Sequence, residues 1–412
     1  MPTLSIDSDR LSRELDELAT FSSHPAPAVT RVLFSPEDLQ ARSWLINLAK
    51  ESGFQTRLDP VGNLFITWLG SDPSLPPVAT GSHTDAIPNA GKYDGTVGVL
   101  GGLEAMRALK ASGHQPTRSI ELIMFTAEEP TRFGIGCLGS RMLAATTSAV
   151  EANQLTDSEG QTLDALRPDS CPGSLEDVAL TPGCYAHFLE LHIEQGALLE
   201  EENLDLGLVE KIAAPAAFRL SFTGSGGHAG AVLMPDRRDA FLAAAEVALL
   251  VEKYAKESPS PDTVGTTGVV QVSPGAINSI PCDTLLEIDF RDTDFAARNI
   301  ALASIRSDAE ALCQRRGIEL TWEQINSDPP ATCDPELVQL LEDTAQKLGY
   351  SHRRMISRAY HDSLFMARLC PTSMIFIPCF KGYSHRPDEY ASPEAIAKGT
   401  QLLAESLRQL SL

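Results

Sequence analysis

Residues 121–130 read ELIMFTAEEP, an apolar run that ends abruptly in two carboxylates, Glu128 and Glu129. Three other stretches have the same form, an apolar run followed by polar residues: 77–85 (PVATGSHTD), 188–196 (FLELHIEQG) and 373–385 (SMIFIPCFKGYSH). Strands that are buried on both faces of an α/β sheet have this continuous apolar character. Helical segments separate the runs, so the sequence predicts an α/β fold.

A different pattern occupies residues 212–327. Residues 217–227 (AFRLSFTGSGG) and 284–292 (TLLEIDFRD) alternate apolar and polar side chains, as half-buried antiparallel strands do, and helical segments lie between them. We therefore expect an inserted α+β domain at 212–327. The first domain is then discontinuous, with residues 1–211 forming its first part and residues 328–412 completing it.

Composition limits the partners and the compartment. The 412 residues carry a formal net charge of −22, spread along the chain, which disfavours nucleic acid and anionic membranes as partners. The eight cysteines form no C-x-x-C pair, which indicates reduced and mostly buried thiols. The first twenty residues lack a basic segment followed by an apolar one, and no run is long enough to span a bilayer, so we expect a cytoplasmic protein.

Polar residues that directly follow buried strands are candidates for a site, because ligands bind beyond the carboxyl ends of strands in open α/β sheets. The residues in such positions are His83, Asp85, Glu128, Glu129, His192, Gln195 and His385. Asp94 lies in GKYDGTVG, between the first of these strands and the next helix, where glycines allow the backbone to approach closely.

Imidazoles and carboxylates in this mixture bind divalent zinc or manganese, and two ions bridged by one carboxylate need about five protein ligands. Five residues supply that number: His83, Asp94, Glu129, His192 and His385. Adjacent carboxylates cannot both point the same way, so Glu129 can bind metal while Glu128 acts as general base. Asp85 suits a supporting role in which it accepts the other ring N–H of His83.

Each of these residues also has a simpler interpretation. A lone His83 or His192 is more often a hydrogen-bonded, partly buried histidine than a ligand. Two consecutive glutamates usually lie on a solvated surface, and Asp94 beside glycines is ordinary turn chemistry. The metal interpretation depends on their joint occurrence at strand ends, in an order that supplies a complete two-metal set.

Five ordered motifs resemble a known family: residues 81–100, 125–141, 189–200, 226–240 and 275–281. They are similar to the successive motifs of the allantoate amidohydrolase, ureidoglycolate amidohydrolase and N-carbamoyl-L-amino-acid hydrolase family, whose superfamily contains the aminoacylases and carboxypeptidases. The resemblance runs from about Val32 to the C-terminus. It implies a two-metal aminopeptidase/carboxypeptidase-like catalytic domain with an inserted α+β lid and dimerisation domain, and hence a homodimer.

The resemblance also implies residue roles. One metal is held by His83, His192 and the bridging Asp94, and the second by Asp94, Glu129 and His385. Glu128 matches the family's general base, and Asp85 matches its histidine-orienting carboxylate.

Further residues match the family's substrate contacts. Gln195 matches a pocket residue, and His228 matches a histidine that stabilises the oxyanion. Asn278 and Arg291 match groups that bind the substrate carboxylate, and Tyr360 and His361 match further substrate contacts. The resemblance also implies that some of these residues can reach the active site of the partner subunit. On simpler interpretations His228 is a loop residue and Arg291 is a solvated charge.

Within the family, the chain most resembles the ureidoglycolate branch, because residues 358–363 read RAYHDS where the other branches usually have a pattern nearer to GAGHDA. The resemblance implies hydrolysis of the ureido group of ureidoglycolate to glyoxylate, ammonia and carbon dioxide. Two divalent ions are expected, with manganese favoured and zinc possible.

Three alternatives remain open. The first is an allantoate amidohydrolase or an N-carbamoyl-L-amino-acid hydrolase. The second is a peptidase or aminoacylase of the wider superfamily, in which a carboxylate usually replaces His192. The third is an inactive scaffold or ligand-binding protein, which the retention of all five ligands and Glu128 disfavours.

Overall fold

A computed structural model describes residues 4–412, which divide into two compact units. The first unit contains the chain up to Glu210 together with Thr332–Ser357 and His361–Leu412. The second unit contains Lys211–Ala331 and the short segment Arg358–Tyr360. These bounds differ by a few residues from the domain limits predicted from sequence, and they add residues 358–360 to the second unit. The predicted lid and dimerisation roles of the second unit stay predictions.

Strands are given in chain order. They are β1 Val29–Arg31, β2 Gln55–Leu58, β3 Leu64–Trp68, β4 Val78–His83, β5 Ala86–Ala90, β6 Ile120–Phe125, β7 His187–Ile193, β8 Leu206–Ile212, β9 Ala214–Thr223, β10 Gly227–His228, β11 Val264–Ser273, β12 Ser279–Ile280, β13 Asp283–Asp292, β14 Glu319–Ser327, β15 Ala331–Thr332, β16 His352–Ser357 and β17 Thr372–Ile377.

The α-helices follow in the same order. They are α1 Ser8–Thr20, α2 Pro36–Glu51, α3 Thr96–Ala111, α4 Leu138–Leu143, α5 Ala149–Gln154, α6 Leu163–Leu166, α7 Leu198–Glu201, α8 Ala240–Lys256, α9 Phe295–Arg316, α10 Pro335–Leu348, α11 Ser363–Met366 and α12 Pro393–Leu410.

A nine-stranded mixed sheet forms the centre of the first unit, in the order β15-β8-β17-β7-β4-β6-β3-β2, with β16 paired to β8. Strands β17, β7, β4 and β6 are mutually parallel. Nearly all of their residues are buried, because apolar cores cover both faces of the sheet. The predicted α/β architecture is therefore confirmed. Since parallel strands end at the same edge, the residues that follow β4, β6, β7 and β17 are brought together.

The second unit contains a four-stranded antiparallel sheet in the order β11-β13-β9-β14. Burial alternates along β13, and α8 and α9 share an apolar core with one face of the sheet. This is the α+β pattern predicted for this part of the chain. Separately, β10 pairs with β12, so that His228 lies opposite Ser279.

All eight cysteines are free thiols; six are buried, and Cys184 and Cys282 are half-buried. Their burial agrees with the sequence-based expectation. Within residues 4–412, every helix is too short or too polar to cross a bilayer.

Candidate active site

Two buried histidines lie at the ends of neighbouring strands, His83 in β4 and His192 in β7. The Nδ1 atom of His83 lies 3.0 Å from the carbonyl oxygen of Asp85, and that of His192 lies 2.8 Å from the carbonyl oxygen of Ile193. A carbonyl can only accept, so each Nδ1 carries the proton and each Nε2 presents a lone pair. The backbone N–H of Gly95 donates to Nε2 of His192 at 3.1 Å, which agrees with this tautomer.

Asp94 lies between the histidines that the sequence analysis singled out. Its Oδ1 atom is 3.1 Å from Nε2 of His192 and 3.6 Å from Nε2 of His83. Its Oδ2 atom is 3.5 Å from Nε2 of His385, which is itself 3.3 Å from Oε1 of Glu129. The five residues thus form two groups that share Asp94, and within each group the candidate ligand atoms lie within 4.8 Å of one another.

This donor set fits two divalent cations. Nε2 of His83 and Nε2 of His192 face a carboxylate oxygen of Asp94, and a nitrogen lone pair and a carboxylate attract at this distance only if a proton or a metal cation lies between them. Imidazole nitrogens and carboxylate oxygens are ligands that zinc and manganese accept. In both histidines the Nδ1 proton is bound by a carbonyl, which is how proteins usually orient metal-binding imidazoles.

The electrostatics of the site favour positive charge at the same place. Burial disfavours the charged form of His83, but the carboxylate of Glu128 and the hydrogen bond with Asp94 outweigh it, and the pKa of His83 is raised well above its ordinary value. Burial also opposes ionisation of Asp94, yet His192 and His83 hold the pKa of Asp94 well below its usual range. Carboxylates that stabilise an imidazolium also stabilise a metal cation.

Glu128 faces the site without belonging to either ligand group. Its Oε2 atom lies 3.6 Å from Nε2 of His83, and its Oε1 atom accepts from Sγ of Cys137 at 3.5 Å. Burial raises the pKa of Glu128 well above its ordinary value, and the negative charge of Glu129 adds to this, although His83 opposes it. A carboxylate with a raised pKa is suited to proton transfer near neutral pH.

Asp85 supports the site differently from the sequence-based expectation. The ring N–H of His83 is bound by the backbone carbonyl of Asp85, whereas the nearer carboxylate oxygen is 3.7 Å from Nδ1. The reason is that the Asp85 carboxylate is occupied elsewhere: it accepts the backbone N–H groups of Glu128 at 3.3 Å and Glu129 at 3.0 Å. Asp85 therefore orients His83 through its main chain and holds the Glu128–Glu129 turn through its side chain.

Comparison with known proteins agrees with this geometry. Residues 79–409 match the model of the peptidase family M20/M25/M40. The chain belongs to that family. It is 52% identical to the ureidoglycolate hydrolase of Arabidopsis thaliana over 418 residues, covering 100% of this chain and 88% of that protein. It is also 52% identical to the ureidoglycolate hydrolase of Oryza sativa subsp. japonica, covering 99% of this chain and 85% of that one. The crystal structure of AtUAH in complex with glyoxylate superposes with a TM-score of 0.90, at 52% identity and 99% coverage of both chains.

Two of the predicted substrate-binding residues contact candidate metal ligands of this M20/M25/M40 family site. Gln195 is half-buried, and its Nε2 donates to Oδ2 of Asp94 at 2.6 Å. The ring of His361 is buried, with its centroid 4.6 Å from that of His192 and 5.7 Å from that of Phe376. In this structure both residues contact candidate metal ligands, Asp94 and His192, and their predicted contacts with substrate stay predictions.

The remaining predicted substrate residues belong to the second unit. His228 and Asn278 are exposed neighbours, since the N–H of Ala229 donates to the carbonyl of Asn278 at 2.9 Å. Arg291 donates through Nε and Nη2 to the two carboxylate oxygens of Asp289, at 2.7 and 2.9 Å. The hydroxyl of Tyr360 donates to Oδ2 of Asp328 at 2.8 Å.

Sequence reasoning missed several residues around the site. Glu190 is fully buried and accepts from the hydroxyls of Ser82 at 2.8 Å and Ser363 at 2.6 Å. A signal was available, because Glu190 is a charged residue inside an apolar run and shares a strand face with His192 two positions later. Ser384 and Glu389 were also missed, although Ser384 directly precedes His385 in the run 373–385 and Glu389 follows His385 by four residues.

Proposed function

We propose that this chain hydrolyses the ureido C–N bond of ureidoglycolate, releasing ammonia and an unstable carbamate that decays to glyoxylate, carbon dioxide and a second ammonia. The observation that carries the proposal is the cluster of four imidazole and carboxylate side chains around Asp94, with Glu128 beside it. The chain shares 52% of its residues, over its full length, with proteins named ureidoglycolate hydrolase. A crystal structure of similar fold and 52% identity holds glyoxylate, the proposed product.

We infer that two divalent metal ions complete the site, with manganese favoured and zinc as the alternative. His83 and His192 would hold one ion, Glu129 and His385 the other, and Asp94 would bridge them. The bound ions supply Lewis acidity, which polarises a carbonyl and lowers the pKa of water at the site.

Glu128 is the proposed proton carrier. A ureido carbonyl is a poor electrophile because both nitrogens donate electrons into it, so the attacking water must lose its proton as the new C–O bond forms. The carboxylate of Glu128 takes that proton and then delivers it to the departing nitrogen as the C–N bond breaks. Burial of Glu128 raises its pKa and so strengthens it as a base.

The second unit supplies the proposed substrate contacts. Arg291 and Asn278 bind the carboxylate of the substrate, and His228 stabilises the oxyanion that forms at the reacting carbonyl. Because Arg291 already pairs with Asp289, its guanidinium is held in a fixed orientation before substrate arrives. Tyr360 is the proposed specificity residue, with its hydroxyl oriented by Asp328.

We also propose that the chain forms a homodimer through the second unit. Strand β11 lies at the edge of its sheet, its ten residues carry no charge, and Val264 and Val270 are 43% and 52% exposed. An uncharged edge strand presents free N–H and C=O groups to a second chain. Light scattering should give the mass of a dimer for the wild type and of a monomer for Val270→Lys; a monomeric wild type would contradict the proposal.

The substrate is tested by comparing three ureido compounds. Purified protein is stripped of metal, reloaded with manganese and assayed for ammonia from ureidoglycolate, allantoate and an N-carbamoyl-L-amino acid. We expect the highest kcat/KM for ureidoglycolate. A preference for either other compound would assign the chain to the corresponding branch of the family, and a lack of ammonia from all three would refute the proposal.

A further inference from the structure

Glu389 lies in the turn between His385 and α12, and its carboxylate is buried. Its Oε1 atom accepts two consecutive backbone N–H groups, that of Tyr93 at 2.8 Å and that of Asp94 at 3.0 Å. A single oxygen therefore binds the main chain of the residue that is placed between the two ligand groups.

The other carboxylate oxygen of Glu389 contacts the second ligand-bearing segment. Its Oε2 atom lies 3.1 Å from Oγ of Ser384, and that hydroxyl also contacts Oδ2 of Asp94. Ser384 directly precedes His385 in the chain. Glu389 thus connects the loop that carries Asp94 to the turn that carries His385, although the two segments are almost 300 residues apart.

Gly91 provides the space for this carboxylate. A Cβ atom at Gly91 would lie 2.4 Å from Cβ of Glu389 and 2.5 Å from both its Cδ and its Oε1 atoms. These distances are far below van der Waals contact, so only glycine leaves room for the side chain in this position. The fit between Gly91 and Glu389 is a second indication that the carboxylate is held in one place.

We propose that Glu389 is a positioning residue that fixes the bridging carboxylate of Asp94 relative to His385, and thereby determines how tightly both metal ions are retained. This inference depends on the two-metal site of the proposed function. A carboxylate that bridges two ions must satisfy both coordination spheres, so a small displacement of Asp94 weakens both sites together. Residues that orient metal ligands typically contribute about 10–100-fold to metal affinity.

The test measures metal retention in matched variants of Glu389. Glu389→Met keeps the volume of the side chain but removes both acceptor oxygens. In competition with a chelator, we expect the apparent affinity of the protein for both ions to be about 10–100-fold lower. Glu389→Gln keeps the acceptor for the two N–H groups and offers an amide N–H to Ser384, so we expect retention close to that of the wild type. The control is Asp388→Asn, which removes the neighbouring exposed carboxylate that pairs with Arg386.

Gly91→Ala provides an independent variant if Glu389→Met does not fold. It changes no hydrogen-bonding group, but it displaces Glu389, and we expect the same loss of both ions. Circular dichroism of the metal-free proteins reports folding.

Three outcomes overturn the proposal: wild-type retention in folded Glu389→Met, wild-type retention in Gly91→Ala, or an equal loss in Glu389→Met and Glu389→Gln. Metal content is measured without substrate, so failure to cleave ureidoglycolate would leave this inference intact.

Discussion

Glu128 and Glu129 are adjacent and chemically identical, yet each contacts a different histidine. Glu128 approaches His83, and Glu129 approaches His385. The preceding Ala127 has a positive φ of 53°, and Asp85 binds both backbone N–H groups, so the turn directs the two side chains apart. The direction in which each carboxylate points is therefore set by the backbone that carries it.

Glu128→Gln tests the proposed base. The amide keeps the shape of the side chain but cannot accept a proton, so we expect turnover to fall by about 10²–10⁴-fold while both metal ions are retained. Steady-state kinetics and elemental analysis of the same sample measure the two quantities.

Glu129→Gln is the matched comparison for that experiment. It should lower metal content, because a proposed ligand is weakened. If Glu128→Gln keeps near wild-type turnover, or loses as much metal as Glu129→Gln, the assignment of base and ligand is wrong.

At the scale of elements, the loop before α3 brings the backbone close to the ligands. Gly95 has a φ of 67°, and a Cβ atom there would lie 2.3 Å from Nε2 of His83. Nε2 is the atom that would bind metal, so a side chain at this position would occupy the place of the ion.

Gly95→Ala should therefore abolish metal binding at the site. Gly113, just after the end of α3, is the control, since it has a φ of 79° and nothing within 4 Å of a Cβ atom. Both positions have a positive φ, so each substitution also introduces backbone strain, of about 1–3 kcal/mol. Calorimetric titration with manganese should show binding to Gly113→Ala and none to Gly95→Ala; binding to both would contradict the steric argument.

In the second unit, β13 carries the proposed carboxylate-binding residue Arg291. Arg291→Ala should raise KM for ureidoglycolate by about 10–100-fold, because charge-assisted hydrogen bonds are lost, and should leave metal content unchanged. Arg219→Ala is the matched control, since Arg219 on β9 pairs with Glu287 as Arg291 pairs with Asp289. Equal KM values for the two variants would place the carboxylate-binding group elsewhere.

At the scale of the molecule, several titratable groups of the first unit have raised pKa values. Burial raises the pKa of Asp85 to about 6 and that of Glu389 to about 7. The hydrogen bond with Glu129 raises the pKa of His385 to about 9. In each case the folded chain binds a proton more tightly than the unfolded chain, so folding is favoured while these groups are protonated.

Metal-free protein should consequently lose stability as pH rises between about pH 4 and about pH 9. The pKa of Asp94 is lowered, so its ionised form stabilises the fold. That contribution is lost only as pH falls below about 4, outside this window. Calorimetry of chelator-treated protein should give a lower Tm at pH 8 than at pH 5.5, and manganese should raise Tm more at pH 8, where fewer protons compete for the same side chains.

The net charge of −22 also destabilises the folded state as pH rises, because like charges repel. The Tm measurements at pH 5.5 and pH 8 therefore use the same salt concentration, about 0.2 M, which screens this repulsion. A Tm of the metal-free protein that increases from pH 5.5 to pH 8 would contradict this electrostatic account of the site.

The sequence by itself determined the buried parallel strands, the inserted α+β segment and the identity of the five candidate ligands. It could do so because local apolar runs such as residues 121–125 predict buried strands, and because the carboxyl ends of parallel strands meet at one edge of the sheet. His83 and His192 end such runs, so their proximity follows from local pattern and sheet geometry alone.

Only the tertiary structure decided how these ligands are held. The carboxylate of Asp85 binds the Glu128–Glu129 turn instead of the His83 ring, and Glu389 joins two loops that no spacing rule relates. These contacts depend on where loops pass in space and on room left by residues such as Gly91. Loop paths are set by packing between segments that are distant in the chain, and the local sequence does not predict that packing.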